Sequence, residues 1–360
     1  MRRFLQGTTM NDTSTSDSFE NVSLVFFGGK GGVGKSTTSA ATATHLARLN
    51  PSARVLLISF DMAHNLSDLF DTEIGDKITE ILPNMHAIEP DAERYTEEFV
   101  STFVEKAKSL AYSLPIVKKL TNLEEYIEDS FSAASIPLAV KNSIFFEEII
   151  TKAGEFDVFV VDMPPTGNMI SIFEVPRTSI QILLKNTLES MDKVISFLRK
   201  IRKINPLHWF KSPKKEQRNT ARELLDMLRE LDKRGDLVMK LLKERSSLRF
   251  VSIAERPSYE EIRRAKQIVG KYVRLDGVVI NKINPPSCQC ECCISESENQ
   301  KKYIDMIEHE FQDQNIWKAE KMMTETIGIE KLVEFGKMLY KNNEYGEILH
   351  PSINGDDDVK

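Results

Sequence analysis

The sequence predicts an α/β fold: a mostly parallel sheet covered by helices, with an inserted all-helical subdomain. Three observations lead there. Short apolar runs recur along the chain, at Ser23–Phe27, Val55–Phe60, Val158–Val161, Phe250–Ala254 and Gly277–Ile280. They are close to continuous rather than alternating, the pattern of strands buried on both faces. Helical stretches separate them, as parallel crossovers require, and two longer helical stretches interrupt the rhythm.

The elements follow in order. Residues 1–20 are polar and rich in Ser, Thr, Asp and Asn, and are expected to form a disordered extension. They contain two arginines but no apolar core segment, so they do not read as a signal peptide. The sheet-bearing domain is expected over 21–345. Its first strand, Ser23–Phe27, runs into glycines, and a helix over Thr37–Leu49 stops before Pro51. Around 93–150, Phe99, Phe103, Leu110 and Leu114 recur at helical spacing. Over 180–246, Leu184, Leu188, Met191, Ile195, Leu198 and Ile201 form one stripe, and Leu224, Met227, Leu228 and Leu231 another. Between these stripes, Arg199 to Arg218 holds eight Lys/Arg with Pro206, Trp209 and Pro213, a basic loop. Residues 346–360 read as an acidic disordered tail.

Composition narrows the function classes. With 48 basic and 54 acidic side chains the formal net charge is -6, so no basic excess draws the chain to nucleic acid. No apolar run approaches the roughly 18 residues of a membrane span. All four cysteines, Cys288, Cys290, Cys292 and Cys293, fall within six residues. A disulfide scaffold would scatter them. A tight cluster suits a soft metal or a redox switch.

Gly29-Lys-Gly-Gly-Val-Gly-Lys35-Ser36 follows the first strand and opens the first helix, the context that a phosphate-binding P-loop needs. Gly29, Gly31, Gly32 and Gly34, with Val33 among them, let backbone N–H groups wrap phosphates, and the helix N-terminus adds partial positive charge. Lys35 is expected to reach the β- and γ-phosphates, the Ser36 hydroxyl to hold Mg²⁺, and Thr37 to contact the α-phosphate.

A second lysine, Lys30, stands in the same loop. The string Gly29-Lys-Gly-Gly-Val-Gly-Lys-Ser-Thr37 resembles the deviant Walker A loop of the nitrogenase-iron-protein, septum-positioning and arsenite-pump ATPases. That resemblance implies a homodimer in which Lys30 reaches the partner's phosphates. Asp61-Met-Ala-His-Asn-Leu-Ser-Asp68 is similar to the first switch of the arsenite-pump and guided-entry (GET-pathway) ATPases, with Met62 in place of a proline. Asp61 would then orient or deprotonate the attacking water. Asp162-Met-Pro-Pro-Thr-Gly-Asn168 resembles their second switch, with Asn168 in place of a histidine. Asp162 would hold Mg²⁺ through water. Ile253-Ala-Glu255 resembles a nucleotide-contacting string, and Asn281 stands where the family reads adenine; an amide both donates to and accepts from a purine edge. Cys290-Glu-Cys-Cys293 is followed after six residues by Gln300-Lys-Lys-Tyr303, the register of the GET-pathway ATPases. The resemblance therefore makes Cys290 and Cys293 the paired zinc ligands. Two chains would complete a four-cysteine site on the dimer axis.

Taken over roughly residues 22–345, the resemblance is to a GET-pathway targeting ATPase. It implies an ATP- and Mg²⁺-dependent, zinc-bridged homodimer with a cytoplasmic location and transient visits to the endoplasmic reticulum membrane. Such a dimer shields the transmembrane helix of tail-anchored clients, takes them from a co-chaperone and delivers them to membrane receptors. The stretches 93–150 and 180–246 would form the client groove, although a stripe such as Leu184–Ile201 also fits an internal core. Three alternatives stay open. One is an arsenite-pump-type ATPase, whose members usually fuse two such halves. Another is a redox-activated holdase that uses the four thiols. The third is a metal-cluster carrier served by the cysteine strings of two chains.

Overall fold

The computed structural model describes residues 22–61, 65–91, 145–146, 148–174, 235–285 and 291–351, with helical positions at 101, 105 and 109; for 291–293 only the backbone is described. The chain divides into two compact units. One comprises Met1–Pro90, Glu147–Phe173 and Lys240–Lys360, and the other Asp91–Phe146 and Glu174–Met239. The second unit falls almost wholly outside the described residues, as do the expected helical stripes of 93–150 and 180–246.

The first unit is built on eight strands: β1 Ser23–Gly28, β2 Val55–Ser59, β3 Thr79–Leu82, β4 Met85–Ile88, β5 Val158–Asp162, β6 Ser246–Ile253, β7 Arg274–Ile283 and β8 Asn315–Glu320. They form a single sheet in the order β3-β4-β2-β5-β1-β6-β7-β8. Every neighbouring pair is parallel except β3 with β4. The expected mostly parallel α/β sheet is therefore what the chain forms. All five strands read from apolar runs are present. β3, β4 and β8 were not anticipated: the first two have four residues each, and β8 alternates buried and exposed positions at the sheet edge.

The described helices are α1 Lys35–Leu49, α2 Leu66–Phe70, α3 Arg256–Val269, α4 Glu291–Glu310, α5 Ile329–Tyr340 and α6 Tyr345–Leu349. Further helical residues of this unit are 148–152, 166–173 and 240–244. Residues 346–349, read from sequence as the start of a disordered tail, belong instead to α6. Ile348 and Leu349 bury there against the main core, which extends the folded domain past 345. Two apolar side chains and a reciprocal capping pair, Glu344 and Glu347, outweigh the acidic composition that follows.

Burial follows the strand alternation. Val25, Phe27, Val55, Leu57, Val158 and Val160 join a core cluster with α1, α5 and α6. The intervening residues Leu24, Phe26, Leu56 and Phe159 are equally buried, with Phe26 edge-on to Phe173 from helical residues 166–174. Sheet interiors covered on both faces have no solvated side, which is why these strands read as unbroken apolar runs. Helix α1 carries mostly Ser, Thr and Ala and is buried from Thr38 to Ala47. Its hydroxyls are satisfied locally, Thr42 donating to the Thr38 carbonyl and Thr44 to the Ala40 carbonyl at 2.7 Å each.

Candidate phosphate-binding site and family

The site lies along the edge where β1, β2, β5, β6 and β7 end. Parallel register brings these ends level: Ser59 of β2 is beside Asp162 of β5, which is beside Phe27 of β1. The chain leaving β1 becomes the glycine loop, and that leaving β2 carries Asp61. Ligand sites in parallel sheets sit at this carboxyl edge because the connecting loops open there.

Local conformation explains the loop's glycines. Gly34 caps α1 at φ 95°, a left-handed conformation that glycine adopts without strain. A Cβ there would strike the Asn281 side-chain amide. At Gly29, also with positive φ, a Cβ would strike the Val251 carbonyl oxygen. Gly31 and Gly32 differ, because a Cβ on either meets nothing within 4 Å. Their side of the loop is open. Helix α1 begins with neither a capping side chain nor an acidic residue in its first turn. Its first N–H groups therefore remain available to an anion, aided by the helix dipole.

Two lysines occupy the loop differently. Lys35 is buried, donates to the Lys30 carbonyl at 3.3 Å and lies 4.0 Å from an Asp61 carboxylate oxygen. The Lys30 side chain is half-buried in the loop's first turn. The structure thus brings Lys35 and Asp61, from two separate motif strings, within reach of one another. Residues 62–64 of the first switch lie outside the described residues. Asn65 precedes α2, whose first amide, on Leu66, is bound by the Glu89 carboxylate at 2.9 Å.

Asp162 is the deepest charge in the site. It is fully buried at the end of β5, and burial pushes its carboxyl up to about 7 despite Ser36, Lys35 and Ser59, which favour ionisation. The Ser59 hydroxyl donates to Asp162 Oδ2 at 3.2 Å and accepts from the Asp61 backbone N–H at 3.3 Å. Asp162 Oδ1 and Thr166 Oγ1 are buried without a hydrogen-bond partner among the described residues. A buried acceptor left open is costly unless something else satisfies it. Oxygen donors of this kind suit a hard cation such as Mg²⁺: Ser36 and Asp162 would hold it, directly or through water, and it would neutralise charge on the phosphates.

Asn281 is buried at the end of β7, but its amide is turned to the glycine loop, donating to the Val33 carbonyl at 2.9 Å, while its oxygen accepts from the Lys282 N–H at 2.8 Å. Each group keeps one further hydrogen-bonding position. Glu255 is an exposed residue at the N-terminus of α3, its backbone N–H bonded to the Ile253 carbonyl. Cys288 and Cys290 lie outside the described residues. Cys292 and Cys293 fall in the first turn of α4, where only the backbone is described. Gln300, which closes the cysteine register, sits further along α4; it accepts from the Asn284 N–H at 2.9 Å and donates to the Lys282 carbonyl at 3.2 Å. No motif string marks Ser59 or Lys282, although a serine ending an otherwise apolar run was a signal for the first.

Chemically, the arrangement offers backbone donors and two lysines for phosphates, a carboxylate beside one of those lysines, and oxygen ligands for a divalent cation. That set serves phosphoryl transfer to water. The comparisons agree. A family model for anion-transporting ATPases matches residues 22–341. A putative arsenical pump-driving ATPase 2 of Aquifex aeolicus is 29% identical over 88% of this chain and 98% of its own length. The ATPase ASNA1 homolog 1 of Paramecium tetraurelia is 27% identical, covering 89% and 94% of the two chains. An ATPase GET3 of Komagataella phaffii is 26% identical, covering 89% and 90%. With nearly its whole length matched and the P-loop cluster assembled at the sheet edge, the chain belongs to the anion-transporting ATPase family of arsenite-pump ATPases and is an ATPase.

Proposed function

We propose that this ATPase is a targeting factor for tail-anchored membrane proteins, working as a homodimer that closes on ATP. Asp61 activates the attacking water, Lys35 and the loop N–H groups hold the phosphates, Ser36 and Asp162 hold Mg²⁺, and Lys30 acts across the dimer on the partner's phosphates. Glu255 and Asn281 face the nucleoside. Cys290 and Cys293 with their symmetry mates bind one zinc per two chains. The closed dimer shields a client's transmembrane helix in the cytoplasm, receives it from a co-chaperone and releases it to receptors at the endoplasmic reticulum membrane.

The observation that carries the hydrolytic part is the convergence of Lys35, Asp61 and Asp162 at adjoining ends of β1, β2 and β5. The targeting part is supported by the cysteine string at six residues from Gln300 and by relatives named ATPase GET3. Among the described residues no helix is long and apolar enough to cross a membrane. Co-expression with a tail-anchored protein followed by co-purification tests the proposal; failure to capture the client in the ATP state would count against it.

A second reading is favoured by the Aquifex relative, whose name is that of an arsenical pump-driving ATPase and 98% of whose length aligns here. Chain length therefore does not separate the two readings, although pump ATPases often fuse two halves. Stimulation of hydrolysis by arsenite or antimonite, without client capture, would select the pump.

A further inference from the structure

Lys282 follows Asn281 at the end of β7 and has φ 57°, the left-handed region that non-glycine residues rarely enter. Its ammonium reaches across 250 positions of sequence to donate to the Gly32 carbonyl at 2.8 Å. Next to it, Asn281 donates to the Val33 carbonyl at 2.9 Å. Two consecutive loop carbonyls are thus held by two consecutive β7 side chains.

The consequence follows from peptide geometry. In a trans peptide, C=O and the following N–H point in opposite directions, and no described peptide bond is cis. Holding the Gly32 and Val33 carbonyls toward β7 turns the Val33 and Gly34 N–H groups away from it. Those are the amides that a P-loop offers to phosphate. The lysine's conformation sharpens the point. Glycine or asparagine would occupy the left-handed region at less cost, and an exposed lysine bond adds little stability. What lysine brings here, and neither glycine nor asparagine can, is a cation long enough to reach Gly32. Gln300 of α4 helps hold the strained position, donating to the Lys282 carbonyl and accepting from the Asn284 N–H.

We propose that Lys282 is a positioning residue for nucleotide binding: with Asn281 it clamps the loop carbonyls so that the Val33 and Gly34 N–H groups are set toward the phosphates before ATP arrives. This rests on the reading of Gly29–Ser36 as the phosphate loop.

The test uses the full chain with three variants, Lys282→Gly, Lys282→Met and Lys282→Arg, and Lys35→Ala as the control for the loop itself. Lys282→Gly relieves the backbone while removing the ammonium, so its melting temperature should equal or exceed that of the wild type. Its Kd for Mg·ATP should nonetheless rise about fivefold, with the loss in KM rather than kcat, because the amides are used in ground and transition states alike. Lys282→Met should weaken binding similarly, and Lys282→Arg should stay within about twofold of the wild type. Wild-type affinity in Lys282→Gly, or a loss confined to kcat, overturns the proposal. If Lys35→Ala also leaves Mg·ATP affinity intact, the reading of the loop has failed; if Lys35→Ala abolishes binding while Lys282→Gly does not, only the role of Lys282 has.

Discussion

Asp162 and Arg249 stand at one level of the sheet, on either side of Phe27: Asp162 pairs with it from β5 and Arg249 from β6. Both are fully buried charged residues, and they are built on opposite rules. Around Arg249 the polar groups are answered. Its guanidinium makes a two-pronged pair with Asp276 at 3.2 and 3.3 Å, donates to Tyr340 Oη at 3.2 Å and bonds the Ile348 carbonyl. It lies 4.7 Å from the Trp317 ring centre. Tyr340 Oη in turn is 2.7 Å from Thr42 Oγ1. Burial works against the Arg249 charge, but Asp276 and Tyr340 hold its pKa above the ordinary value. Asp162 has the Ser59 hydroxyl on Oδ2 and the favouring influence of Ser36 and Lys35, while its Oδ1 has no hydrogen-bond partner among the described residues. A closed network ties β6, β7, α1, α5 and α6 together; an open one leaves coordination for something yet to bind. Burial and charge alone do not tell these two sites apart, whereas the partners that each side chain finds do.

The largest effect should come from breaking the closed network. Asp276→Asn leaves a buried guanidinium without its counter-charge and should cost about 3–5 kcal/mol, read by denaturant unfolding. Replacing both partners, as Arg249→Met with Asp276→Leu, should recover much of that loss. If Asp276→Asn unfolds like the wild type, the pair is not the fastener described.

At the open site the loss should fall on turnover instead. Asp61→Asn should bind Mg·ATP yet lose about 2–4 kcal/mol in the hydrolytic step, a drop of roughly 30- to 1,000-fold in kcat, with thermal stability little changed. Near wild-type hydrolysis would remove Asp61 from its assigned role.

Asp162 should also betray itself through pH. Its folded-state pKa is raised to about 7 from 3.8, so the folded protein holds this proton more tightly than the unfolded chain does. The stabilisation is fully present below about pH 4 and is lost as pH rises through about 7. In metal-free, nucleotide-free protein, Asp162→Asn should abolish that component. The stability difference between variant and wild type should grow in the variant's favour across this window. A difference independent of pH would mean that Asp162 is ionised throughout.

The smallest effect is expected at the rim of the closed network. Thr42→Val removes the hydroxyl contact with Tyr340 while keeping the shape of the side chain, at about 0.5–1.5 kcal/mol. A larger loss would show that the network is coupled through Tyr340 rather than pairwise.

How much of this was legible in advance varies with the reach of the interaction. The central strands announced themselves because burial on both faces demands unbroken apolar residues, and Gly29–Ser36 because a phosphate loop needs its glycines at fixed offsets. β3 and β4 are too short for any period to show, and β8 mixes Asn, Lys and Glu with Ile, Trp and Ala as an edge strand does. The apolar run starts at Phe250, whereas β6 begins at Ser246, because Ser246, Ser247 and Arg249 are polar yet buried in the strand. The expected place of Asn281 at the adenine comes from a resemblance, whereas its bond to the Val33 carbonyl is a contact that no local pattern announces.

By itself, then, the sequence determined the layered α/β plan, the phosphate loop and the residues that approach it from Asp61 and Asp162, because periodicity and motif spacing are local properties of the chain. Only the tertiary structure decided which charges are closed and which open. Asp276 answers Arg249 from 27 positions away, Tyr340 from 91 and Lys282 reaches Gly32 from 250. Such partners meet through strand order and register, and no local pattern of residues encodes them.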